Sequence, residues 1–235
     1  KAMHQLPADT APLLSGQMID LAGGRAYLSL PAGATAPLPA VIVIHEWWGL
    51  NANVSHWADR LAAEGYAALA VDLYGGAVAT SADDAMTYMK AVDDGQALAT
   101  LTAAYDFLGS DPRILATRRA AIGWCFGGGW SLQLSLARPL DATVIYYGHL
   151  IDDVARLKSI KGPVLGIFGN KDRGIPPAAV DAFDRALTEA GVQHDIHRYD
   201  AEHAFANPSN AIYDQPAATD AWEQTRAFLR STIAK

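Results

Sequence analysis

Cys125 is the one cysteine among 235 residues, and it stands between glycines in Gly123-Trp124-Cys125-Phe126-Gly127. The apolar run Ala120-Ala121-Ile122 precedes it, and apolar positions at Leu132, Leu134 and Leu136 follow. This pattern predicts a strand, a sharp turn with the thiol at its apex, and a helix. Such a turn is sterically possible only if the residues two before and two after the apex are small, the places that Gly123 and Gly127 occupy. Gly128 and Gly129 would let the helix approach closely. Its first amides would face the thiol, and their partial positive charge favours thiolate. A thiolate held there can attack an acyl carbon. A free cysteine is more often inert core packing, so the reading requires a base, an orienting acid and an oxyanion site elsewhere in the chain.

Those groups are present at the ends of apolar runs. Asp172 lies in Gly169-Asn170-Lys171-Asp172-Arg173, directly after the run from Pro163. An aspartate there often only forms a turn or caps a helix, but the next helix is expected near Pro177, too late to need this cap. His203 follows the run His194 to Tyr199, in Glu202-His203-Ala204-Phe205. An imidazole must carry a proton between thiol and leaving group while a carboxylate holds its other nitrogen. His203 and Asp172 are expected to meet those two needs. Glu46, in His45-Glu46-Trp47-Trp48-Gly49, is flanked by aromatics at a strand end. Partial burial there would raise its pKa and let it hold a proton near the thiol. His45-Glu46 is not half of an H-E-x-x-H zinc motif, because Gly49 occupies the place of the second histidine.

An oxyanion site needs two backbone amides. The amide after the nucleophile, on Phe126, is one, and the loop after an earlier strand supplies the other, here Trp47. Trp48, Tyr74 and Tyr147 are candidates to wall a substrate pocket, although each singly reads equally well as core packing.

The elements that must position these residues alternate. Met18 to Leu21 and Arg25 to Leu30 predict an edge hairpin, and Ala40 to Ile44, without polar alternation, a strand buried on both faces. Asn51 to Glu64 reads as a helix, Tyr66 to Val71 as a strand, and Ser81 to Met89 and Asp94 to Leu108 as helices. Strands over Arg119 to Gly123, Ala142 to Gly148, Pro163 to Gly169 and His194 to Tyr199, with helices over Pro177 to Ala190 and Ala217 to Ile233, complete the chain. The stretch from Gly75 to Asp94 is expected to border a pocket entrance. This alternation specifies a mostly parallel sheet with helices on both faces. Cys125, Asp172 and His203 fall in the order nucleophile, acid, histidine, which is the order of the α/β-hydrolase fold.

Length and composition set bounds. With 51% hydrophobic residues, the chain suits a single domain over 17–235 behind an irregular lead-in over 1–16. A net charge of −7 argues against a nucleic-acid or anionic-membrane partner, since both need clustered lysine and arginine. No uncharged apolar run of about 18 residues occurs, so no transmembrane helix is expected. One cysteine excludes an intramolecular disulfide and a cysteine-based zinc site, and no metal or organic cofactor is implied. The chain opens on Lys1, which leaves the compartment undecided: cytoplasmic, or exported with a leader removed. Oligomeric state is not legible.

Together these segments resemble the dienelactone hydrolase family. The resemblance is carried by His45-Glu46-Trp47-Trp48-Gly49, Asp72-Leu73-Tyr74, Gly123-Trp124-Cys125-Phe126-Gly127-Gly128, Tyr146-Tyr147-Gly148, Gly169-Asn170-Lys171-Asp172 and His203-Ala204-Phe205. It implies a triad of Cys125, His203 and Asp172, thiol activation assisted by Glu46, and an oxyanion hole from the Trp47 and Phe126 amides. It also implies arginines that grip a lactone carboxylate, one after the Asp-Leu-Tyr segment and one after the histidine. This chain has Gly75-Gly76-Ala77-Val78 and Asn207 in those regions. Without that bidentate clamp, the expected substrate is a small neutral ester or lactone. The same nucleophile could alternatively take an activated phosphotriester. A non-catalytic binding module would not need all four side chains, and a redox sensor would want a second cysteine.

Overall fold

The computed structural model describes residues 14–234, so most of the lead-in expected over 1–16 lies outside the described residues. The chain divides into two compact units, with the boundary in sequence between Arg119 and Ala120.

The first unit contains β1 (Gln17–Leu21), β2 (Gly24–Ser29), β3 (Ala40–Ile44), α1 (Ala52–Ala63), β4 (Ala67–Asp72), α2 (Ala82–Ala91) and α3 (Asp94–Ser110). Its strands lie in the order β1-β2-β4-β3. β1 and β2 form the expected antiparallel hairpin, β2 is antiparallel to β4, and β3 runs parallel to β4 with Ala40 opposite Ala67 and Ile44 opposite Val71. Every residue of β3 is fully buried, which is why its sequence shows no polar alternation. Asn51 caps α1 by accepting the Val54 amide at 3.2 Å, and Val54, Trp57, Ala58 and Leu61 form its buried stripe. The stretch from Gly75 to Asp94 contains α2. Gly75, Gly76, Val92 and Asp93 contribute to a cavity of about 670 Å³ shared with Arg25 and Gln96.

The second unit opens on β5 (Arg119–Trp124) and continues with α4 (Phe126–Ala137), β6 (Ala142–Tyr146), α5 (Val154–Leu157), β7 (Val164–Gly169), α6 (Pro177–Glu189), β8 (His194–Tyr199) and α7 (Gln215–Thr232). β5, β6, β7 and β8 are neighbours in that order and all parallel. The register pairs Trp124 with Tyr146, Tyr146 with Ile167, and Gly169 with Tyr199. Their carboxyl ends therefore finish together, and loop residues just beyond them are gathered at one edge. Leu132, Ile145, Phe168, Phe183 and Leu187 build the core beneath. α7 is tied to β6 by a buried bond in which the Tyr146 hydroxyl donates to Thr225 Oγ1 at 2.7 Å, the Thr225 proton being given to the Ala221 carbonyl.

Several elements depart from the sequence expectation: β6, expected to Gly148, ends at Tyr146, and α2, expected to Met89, runs to Ala91. α5 is a single turn, too short to show a helical period. α7 starts two residues early, because Asp214 caps it and Pro216 sits in the first turn, where its missing N–H costs nothing.

Candidate active site

Cys125 occupies the apex between β5 and α4 with φ 58° and ψ −120°, a backbone conformation rarely taken by residues with a side chain. Its amide donates to the Tyr146 carbonyl at 2.9 Å, and its carbonyl accepts the Gly128 amide at 2.9 Å. The turn has no room for neighbouring side chains. A Cβ on Gly123 would collide with the Gly127 carbonyl, and one on Gly128 would lie 2.6 Å from the Tyr146 carbonyl. Small residues at these places are thus a steric requirement.

Backbone pairing beyond the strand ends carries Asp172 to His203. The Asn170 amide donates to the Tyr199 carbonyl at 2.7 Å and the Lys171 amide to the Ala201 carbonyl at 3.0 Å, so the loops after β7 and β8 continue side by side. Asp172, with its side chain 1% exposed, accepts the Gly174 and Ile175 amides on Oδ1 at 2.8 and 2.9 Å. Its Oδ2 faces His203 Nδ1 at 2.5 Å, and His203 Nε2 lies 3.2 Å from Cys125 Sγ. The Asp172 bond fixes the proton on Nδ1, leaving Nε2 to exchange a proton with the thiol. Burial disfavours the charged imidazole, but the hydrogen bond to Asp172, followed by the hydrogen bond to Cys125 and the charges of both, outweighs it. The His203 pKa is pushed up to about 10. The buried Tyr147 ring packs 5.2 Å from the imidazole and 5.5 Å from Phe205.

Among the described residues, four non-glycine residues have positive φ, and three of them, Cys125, Tyr147 and Ala204, belong to this cluster or adjoin it. Phe126, the other elbow residue marked from sequence, begins α4 and sets its ring against Trp130 at 6.4 Å.

The sequence pattern of the dienelactone hydrolase family matches residues 25–233. The chain belongs to that family. A relative from Saccharolobus solfataricus, which bears the name "Putative carboxymethylenebutenolidase", is 32% identical over 88% of this chain and 93% of its own. The solved structure of m3DLH is 28% identical, with a TM-score of 0.85 over 93% of this chain and 98% of that one. A metagenomic protein described as a dienelactone hydrolase-like promiscuous phosphotriesterase is 27% identical, again with a TM-score of 0.85 over 93% and 98%. The fold is the α/β-hydrolase fold, and the chain is an enzyme, a carboxylic ester hydrolase of the dienelactone hydrolase type. Among the described residues no helix is long and apolar enough to cross a membrane.

The remaining family segments lie in the first unit. Glu46 follows β3 and is 2% exposed. Trp47 and Trp48 stack edge to face at 5.3 Å, and Tyr74 meets His45 edge to face at 4.7 Å. Tyr74 lines a cavity of about 150 Å³ with Leu73, Tyr88, Ala91 and Val92. Asp72 is buried and binds backbone with both oxygens, Oδ1 accepting the Tyr74 amide at 2.8 Å and Oδ2 the Gly76 amide at 2.6 Å. His45, which sequence reasoning considered only as a metal ligand, is fully buried between the Glu46 carbonyl and the Leu73 amide.

Asn207 occupies the region where the resemblance implies an arginine. It is fully buried and holds its own turn, Oδ1 accepting the Ser209 amide at 2.9 Å and the Ser209 hydroxyl at 2.6 Å.

Proposed function

We propose that this enzyme hydrolyses small neutral esters or lactones through an acyl-thioester on Cys125. The observation that carries the reading is the continuous chain from Cys125 Sγ through His203 to Asp172, at 3.2 and 2.5 Å. The thiolate attacks the acyl carbon, and the carbonyl electron pair moves to oxygen. The Trp47 and Phe126 amides receive that oxyanion. Its collapse breaks the bond to the leaving oxygen, which takes the proton from His203 Nε2 and departs as alcohol. Water then gives a proton to His203 and attacks the thioester, releasing the acid and restoring the thiol. Asp172 keeps the imidazole in one tautomer throughout. Glu46, buried after β3, is the carboxylate we assign to thiol activation. Trp48, Tyr74 and Tyr147 are the aromatics we assign to substrate contact.

Neutrality of the substrate is supported by the glycines at 75 and 76 and by the buried, turn-holding Asn207, none of which supplies a cation. The same feature favours a second reading, an activated phosphotriester as substrate, which the similarity to a promiscuous phosphotriesterase also supports.

Intact-protein mass after acid quench, milliseconds to seconds into reaction with an activated short-chain ester, tests the mechanism. An acyl increment on Cys125 with sustained product release is expected, and Cys125→Ala should lose both. Turnover unchanged in that variant would sink the thiol mechanism. Phosphorus in the adduct, with a phosphotriester as the faster substrate, would decide for the second reading.

A further inference from the structure

The loop after β3 contains an arrangement that the triad does not use. His45 donates from Nδ1 to the Glu46 carbonyl at 2.6 Å and accepts the Leu73 amide on Nε2 at 3.0 Å. A single neutral tautomer satisfies both bonds. Burial favours that neutral form and lowers the His45 pKa, against the opposing influence of the Glu46 carbonyl and the charge of Asp72. The edge of Tyr74 confines the ring further.

The Glu46 carbonyl also accepts the Gly49 amide at 3.1 Å. That return contact depends on the tight turn at Gly49, whose φ is +98° and where a Cβ would lie 2.6 Å from the Ala77 carbonyl. The cis peptide bond among the described residues is Ala36–Pro37, so the Glu46–Trp47 peptide is trans. Its N–H therefore points away from its doubly bonded carbonyl. The Trp47 amide has no hydrogen-bond acceptor among the described residues. Two donors on a carbonyl draw electron density along the amide and make the opposite N–H a stronger donor.

We infer that His45 is a positioning residue for the oxyanion site: its Nδ1–H fixes and polarises the Glu46–Trp47 peptide, so that the Trp47 N–H is a pre-aimed donor. The inference rests on the reading above, in which that amide receives the oxyanion. It assigns the buried imidazole a part in acyl transfer without contact with substrate. The donor is oriented before the reaction starts, which is the condition under which such a group lowers a barrier.

The test compares two reactions of the same thiol. Acylation by an activated ester develops an oxyanion, whereas alkylation by iodoacetamide does not. Loss of a whole oxyanion donor costs 10²–10³-fold, so His45→Leu, which misdirects one, should slow Cys125 acylation about 10- to 100-fold. Alkylation should stay within about twofold of wild type, because no oxyanion forms in it. His45→Gln, which carries both a donor and an acceptor, should keep acylation within about fivefold of wild type, since it can replace the lost bonds. Should His45→Leu fail to fold, the Gln variant decides: folded and acylating near the wild-type rate, it supports the assignment. Folded and slowed more than tenfold, it overturns it. Parallel loss of acylation and alkylation in His45→Leu also overturns the assignment, because it marks a general structural role. An acyl adduct on wild-type Cys125 whose rate His45→Leu leaves unmoved overturns this inference and leaves the thiol mechanism standing. No adduct on the wild-type protein overturns both.

Discussion

The two units each place a histidine and an aspartate just beyond strand ends and use them differently. In the first, Asp72 gives both carboxylate oxygens to amides of its own turn, and His45 gives both ring nitrogens to backbone. In the second, Asp172 gives one oxygen to backbone and keeps the other for His203, whose two nitrogens both face side chains. His45 is sealed, whereas the His203 side chain is 37% exposed. Identical chemical groups are thus saturated by backbone in one unit, whereas in the other each imidazole nitrogen is left a side-chain partner to which a proton can pass. The pKa values diverge accordingly, lowered at His45 and raised to about 10 at His203.

The contrast can be broken by substitution. His203→Ala should lower kcat by about 10³-fold or more even where the variant is fully folded, since the proposed proton carrier is removed. A variant that melts early and still turns over would reverse the assignment. Asp172→Asn comes next, at about 10²–10³-fold in kcat, because the amide can hold the wrong imidazole tautomer and a thiol needs less help to ionise than a hydroxyl. Asp72→Ala should have the opposite profile. It leaves the Tyr74 and Gly76 amides short of their acceptor, so urea unfolding should register a loss of about 1–3 kcal/mol. Its Cys125 alkylation rate should match wild type.

The same contrast extends to the pH dependence of stability. His203, ordinarily titrating near 6.5, is raised to about 10 when folded. Its stabilising contribution is complete below pH 6.5 and is lost as pH climbs towards 10. His45 is lowered from the same 6.5, so its contribution is complete above that value and is lost as pH falls through the depressed pKa. Melting temperature against pH should therefore decline on both sides. His203→Gln should flatten the alkaline limb and His45→Gln the acid one. If each substitution flattened the other limb instead, the assigned directions would be wrong.

Much of the scaffold could be read from residue patterns. β3 coincides with the expected Ala40–Ile44 because an unbroken β-branched run has few alternatives to a strand buried on both faces. Proximity of Cys125, Asp172 and His203 was legible because each follows a strand, and parallel strands in register finish together. Partners were not legible. Nothing in His45-Glu46 or Asp72-Leu73-Tyr74 says that the imidazole or the carboxylate turns back onto backbone, because that depends on where a segment more than 25 residues away in sequence comes to lie. Asn207 showed that an arginine was missing, but not that the asparagine is occupied with Ser209. A glycine beyond a strand, such as Gly49, was the available hint that the loop after β3 bends sharply enough to fold a donor onto its own carbonyl.

The left-handed backbone at Cys125, Tyr147 and Ala204 bears on how the enzyme could be improved. Only at Ala204, which follows His203 with φ +64°, would a glycine relieve the backbone without removing chemistry or packing; at Cys125 it would delete the thiol, and at buried Tyr147 it would empty the contacts with His203 and Phe205. The same slackening at Ala204 would loosen the segment that holds the imidazole against the thiol. Selection for durability and selection for speed therefore meet at that residue and pull in opposite directions.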